Sequence, residues 1–172
     1  MDKSESKDIL KFSIIATSVI VILVLLFSTN IIENALISFT AKSTNALLNL
    51  FGVRTSLRGN TIALLSGTQM KLQIIPDCTG IYPFIIMVGF ILAYPSKLKN
   101  KLLGILFGGI LSLLVNYIRL ITLIVVAEKS YDTFQYLHIF IWQTTFIILV
   151  IFYFLWWINW SKKPQKKIKA KI

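Results

Sequence analysis

Long uncharged stretches dominate the order of apolar and polar positions. Residues 12–32 carry no charge between Lys11 and Glu33, and 78–96 carry none between Asp77 and Lys97. A third stretch runs over 102–127, interrupted only by Arg119, and a fourth over 133–161 between Asp132 and Lys162. A helix needs about 20 mostly apolar residues to cross a bilayer. The pattern therefore predicts four transmembrane helices, near 12–32, 79–96, 102–127 and 136–159. Lys3, Lys7 and Lys11 precede the first stretch as they would in a secretory signal peptide. Its apolar run exceeds a signal core of roughly 7–15 residues, and no small-x-small cleavage site follows, so a retained anchor is expected.

Between the first two spans lies the one sizeable polar piece, 33–77. Ala35, Leu36 and Phe39, then Ala46, Leu47, Leu50 and Phe51 recur near helical spacing up to Gly52. This predicts an interfacial helix interrupted near Lys42 to Asn45. Thr61 to Leu65, the turn Ser66-Gly67-Thr68-Gln69, and the alternating Met70 to Ile74 predict a β-hairpin. Gly104 and Gly108 form a GxxxG pattern, which signals close helix packing. The expected fold is an all-α polytopic membrane protein, a single membrane domain over 1–172 with an outer interfacial helix and a small hairpin.

Composition agrees with this class: 56% of residues are hydrophobic and 15% charged, against about 45–50% and about 25% in soluble globular domains. A net charge of +11 suits nucleic acid, an anionic membrane surface or membrane topology, and position decides between them. Twelve cations share one side: three at the N-terminus, Lys97, Lys99 and Lys101, and six in the basic tail over 161–172. Lys42, Arg54, Arg58, Lys71 and Lys129 fall on the other side. The positive-inside rule then makes both termini cytoplasmic and the 33–77 segment extracytoplasmic. The basic excess is a topology signal, and nucleic acid is not an expected partner. Trp156, Trp157 and Trp160 beside the tail lysines fit an interfacial belt facing anionic membrane lipids.

Three residues then stand out. Arg119 lies eight residues before Ala127, about 12 Å below the outer end of its span at 1.5 Å per residue. A charge at such depth either snorkels to the headgroups or faces a polar interior; Asn116, three residues earlier on the same helical face, favours the interior. Cys78, the one cysteine, excludes an intrachain disulfide, and no Cys/His cluster offers a structural zinc site. A lone cysteine is often an inert small hydrophobe. Here it opens the second span, where a helix N-terminus favours the thiolate, with Thr79 and Gly80 following so that nearby N–H groups can accept an oxyanion. His138, the single histidine, is either structural or a proton carrier at the outer end of the fourth span. Antiparallel packing brings all three to similar depth, as a nucleophile, a proton shuttle and a cation suited to thiol acyl transfer.

Cys78-Thr79-Gly80, Asn116-Tyr117-Ile118-Arg119 and His138, separated by apolar spans, resemble the archaeosortase/exosortase family of membrane transpeptidases over roughly Gly59 to Gln143. The resemblance implies Cys78 as nucleophile, Arg119 as catalytic arginine and His138 as the third, basic member, supported by Asn116, Thr79 and Gly80. It implies secreted protein substrates with a C-terminal motif, a transmembrane helix and a basic end, cut at the outer membrane face and passed to water, an amine or a lipid acceptor. No metal or cofactor is expected. Many bacterial members have about twice as many spans and a serine after the cysteine, where this chain has Thr79. The competing reading is a non-catalytic small transporter or membrane assembly subunit using Arg119 and Asn116 as an anion or partner site. The nearly all-apolar inner halves of the second and third spans disfavour a through-path.

Overall fold

The computed structural model describes residues 3–65, 67 and 69–162. The expected basic tail therefore falls, beyond Lys162, outside the described residues, as do Ser66 and Thr68 of the expected hairpin turn. Helices dominate: α1 (Lys3–Phe27), α2 (Asn30–Leu50), α3 (Ile81–Ala93), α4 (Leu98–Lys129), α5 (Tyr131–Tyr136) and α6 (Trp142–Lys162), with a π-helical turn over Leu137–Ile141 joining the last two. Three strands, β1 (Thr55–Arg58), β2 (Thr61–Leu64) and β3 (Lys71–Gln73), and a 3-10 turn at Pro76–Cys78 separate α2 from α3. Among the described residues three segments are long and apolar enough to cross a membrane: Ser6–Phe27, Leu98–Ala127 and Trp142–Lys162. α3 is apolar throughout but has 13 residues, about 20 Å at 1.5 Å per residue.

The first apolar stretch ends its helix before its apolar residues run out. Thr29 Oγ1 donates to Leu26 O (3.1 Å), a local bond that competes with helix continuation, and Thr29 is extended at φ −70°, ψ 135°. α2 then runs unbroken through the positions where an interruption was expected, and two of its polar residues there, Ser43 and Asn45, find partners inside the fold. Ser43 Oγ donates to Phe39 O (2.6 Å) and pairs with Tyr117 Oη (2.7 Å). Asn45 Oδ1 accepts from Thr55 Oγ1 (2.9 Å); Thr44 is fully buried with its hydroxyl unpartnered.

The expected hairpin forms as β2 and β3, antiparallel with Ile62 opposite Leu72. A strand that the pattern did not signal, β1, adds to β2 with Arg58 opposite Thr61. The two-residue connection Gly59-Asn60 puts Gly59 at φ 61°, the glycine-first form such hairpins favour. The sheet rests on α2 and the end of α4: Ala41 and Leu48, Ile62 and Leu64, Ile74, Cys78, Leu120 and Ile124 form one core.

A second core, around Met87, Ile91, Val150, Tyr153 and Trp157, ties α3, α4 and α6 at the opposite end. The GxxxG glycines make it possible. A Cβ on Gly104 would overlap the Trp157 indole, and one on Gly108 would lie 2.7 Å from Met87 Cε. Tyr153 Oη donates to Gly104 O (2.6 Å) and Trp157 Nε1 to Asn100 O (3.0 Å). Trp157, expected in a lipid-facing belt, is thus fully buried, whereas Trp156 is exposed.

Candidate active site

The site grows out of the 3-10 turn between β3 and α3. Pro76 opens it, where its missing N–H costs no bond, and Cys78 N donates to Ile75 O (2.8 Å). Thr79 Oγ1 donates to Pro76 O (2.7 Å). Gly80 sits at φ 75°, and a Cβ there would come within 3.0 Å of the Asn116 Cβ and Cγ atoms. Glycine is needed for both the backbone angle and the close approach. That approach lets Asn116 Nδ2 donate to Cys78 O (2.9 Å).

One helical turn along α4, Arg119 Nη1 donates to Asp77 O (3.1 Å). Its guanidinium carbon lies 5.5 Å from the centroid of the Phe146 ring, a cation–π distance. Arg119 is only 7% exposed, so protein covers it; it does not stretch toward a surface. Arg119 Nε and Asn116 Oδ1, both buried on this face, have no hydrogen-bond partner.

His138 reaches the same place from the other side. It stands on the π-helical turn ahead of the apolar span that begins at Trp142, and such turns recur at functional sites. Its ring stacks on Phe134 at 5.6 Å and 8°, and its buried Nδ1 is unpartnered. Burial first, and then the Arg119 charge, hold the imidazole below its usual range, with Asp77 pulling the other way. Asp77, Arg119, His138, Gln143 and Phe146 line a cleft of about 630 Å³ between α3 and α6.

Cys78 is not among the residues that line this cleft. Its thiol is free and 7% exposed, packed with Ile74 and Leu120 in the core under the sheet. The arrangement therefore joins Arg119 and His138 in one cleft and ties the backbone of Asp77 and Cys78 to α4, with the thiol buried in the adjoining core. Asp77 and Phe146 were missed from sequence. Asp77 had a signal, an acid placed directly before the cysteine at the mouth of an apolar span; Phe146 is one apolar residue among many in its helix.

A profile of the transmembrane exosortase family matches residues 7–157. The chain belongs to the transmembrane exosortase family. No curated protein and no solved structure matches it. The exosortase match begins in α1 and ends at Trp157, so the sheet, the 3-10 turn, the polar face of α4 and the π-helical turn all lie inside it. Family and apolar helices together make this exosortase a multi-pass membrane protein.

Proposed function

We propose that this exosortase is a cysteine transpeptidase that cuts secreted proteins near a C-terminal sorting signal, with Cys78, Arg119 and His138 as its catalytic residues and Asn116, Thr79 and Gly80 supporting them. The observation that carries the reading is Arg119: a protein-covered guanidinium bonded to the turn that bears Cys78, with Nε free, in one cleft with His138. A spare donor at such a place suits an oxyanion or thiolate.

The chemistry follows acyl transfer. The Cys78 side chain rotates about χ1 between staggered wells and turns its sulfur from the core toward the cleft. As Sγ bonds to the scissile carbonyl carbon, the thiol proton passes to His138 and Arg119 faces the oxygen that becomes negative. Collapse breaks the C–N bond, the amine leaves with the proton held by His138, and a thioester remains on Cys78. Water, an amine or a lipid acceptor then attacks the thioester and gives its proton to His138, which returns it to the departing thiolate. We propose further that α3 completes four crossings, that both termini are cytoplasmic and that the cleft faces outward.

Cys78→Ala tests the core of the reading. The change removes a nucleophile and little volume, so expression and thermal unfolding in detergent should match the parent. Processing of a co-expressed secreted protein bearing motif, apolar helix and basic end should be lost; continued processing would falsify the covalent mechanism.

A further inference from the structure

Strand β3 is an edge strand. β2 is central in the order β1-β2-β3, and its bonds fix which way each β3 residue faces. Ile74 N donates to Asn60 O and Leu64 N to Met70 O, both at 2.9 Å. With Leu72 opposite Ile62, positions 70, 72 and 74 direct their main-chain groups to β2. By the alternation of an antiparallel ladder, the N–H groups of Lys71, Gln73 and Ile75 point to the open side. All three residues are exposed, and the backbone stays extended through Ile75 at φ −115°, ψ 170°. Cys78 follows three residues later.

We propose that this open edge takes the substrate as a fourth strand, parallel to β3, so that main-chain hydrogen bonds to Lys71, Gln73 and Ile75 carry the residues ahead of the scissile bond to Cys78. The inference rests on the reading of Cys78 as nucleophile. Its direction comes from the fold: β3 leads through the 3-10 turn into α3, an extended segment followed by an apolar helix. A substrate built in that order and paired in parallel lays its own helix along α3. There the cleft continues past Tyr82, Ile86 and Phe90 to Val150 of α6. An antiparallel strand would send that helix away from the cleft. Strand addition supplies affinity through main-chain bonds and specificity through alternate side chains, which suits a short motif. The edge is only three residues long and carries Lys71, features that discourage indiscriminate pairing.

Peptidyl chloromethyl ketones test this without a known substrate, because the Cys78 thiolate displaces chloride and forms a thioether. In the full-length protein in detergent, pentaalanyl chloromethyl ketone should alkylate Cys78 at least tenfold faster than alanyl chloromethyl ketone. N-methylation of one set of alternate amides in the longer reagent should abolish the gain, and methylation of the other set should spare it. Gln73→Pro removes one outward N–H and no bond to β2. It should slow the pentaalanyl reaction severalfold and leave the iodoacetamide rate and thermal unfolding unchanged. If that variant does not fold, the two methylated sets decide alone. Equal rates for the long and short reagents, or for both methylated sets, with iodoacetamide still reacting at Cys78, overturn strand addition and leave the nucleophile standing. A Cys78 that no reagent alkylates overturns both.

Discussion

Lysine at position 119 would keep a cation at the same depth and lose the planar fork. Arg119 already uses Nη1 on Asp77 O and holds Nε free, and an ammonium cannot do both in one plane. We expect Arg119→Lys to insert and unfold like the parent and to process substrate about 100- to 1000-fold more slowly, the loss typical of one oxyanion donor. A parental rate would remove this residue from the chemistry. His138 carries a pH prediction. Its depressed pKa leaves the neutral, proton-accepting ring populated at lower pH than a free imidazole, so the acid limb of the processing rate should fall below about 6.5. Asp77 opposes the depression, so Asp77→Asn should move that limb further down; a limb that moves up would contradict the arrangement. Asn116 is structural in a stricter sense. Asn116→Ala leaves the buried Cys78 carbonyl without its donor, at a cost of about 1–3 kcal/mol, visible as a lower unfolding temperature.

At the scale of elements, the π-helical turn is the joint to test. Deleting Ile141 returns Leu137–Ile141 toward α-helical winding and shifts His138 around and along the helix axis relative to α6. We expect ΔIle141 to insert and remain folded, since Phe146, Val150 and Trp157 keep their register, and to lose processing because His138 leaves the cleft. The elements that could be read from sequence were those with a long-range reason written locally. Uncharged length marked α1, α4 and α6, and the spacing of Asn116 and Arg119 put both on the face that meets the 3-10 turn. Four features were not legible. The polar run Lys42 to Asn45 looks like a break until Tyr117 and Thr55 arrive from elsewhere in the chain to bond Ser43 and Asn45. β1 shows no strong alternation and exists because β2 offers an edge. Trp157 suits a lipid belt and a core equally well by its chemistry, and only the space opened by Gly104 decides. The thiol of Cys78 belongs with these, since its packing under the sheet depends on contacts from α2, β2 and α4 together.

Across the whole molecule, the shortness of α3 sets the depth of the site. α3 starts beside Asn116, because Gly80 meets that side chain, and α4 continues 13 residues further to Lys129. That is about 20 Å at 1.5 Å per residue. The sheet and α2 pack along this extension through Leu120 and Ile124. At its other end α3 reaches the N-terminal part of α1, with Phe12 6.1 Å from Phe90. Although 13 helical residues fall short of a hydrocarbon core about 30 Å thick, the 3-10 turn before them and the Tyr94 to Ser96 segment after them lengthen the path. If α3 completes a crossing, Arg58 on the sheet and Lys99 at the start of α4 lie on opposite sides of the membrane; if it turns back, they share one. Both residues are exposed, which makes them better reporters than the buried Cys78. In a Cys78→Ala background, we expect Arg58→Cys to react with a membrane-impermeant maleimide added to intact cells or spheroplasts, and Lys99→Cys to react only after permeabilisation. Labelling of both from outside would reduce the chain to three crossings. Labelling of Lys99→Cys alone would invert it and put the cleft in the cytoplasm, where a secreted substrate never presents its processed end.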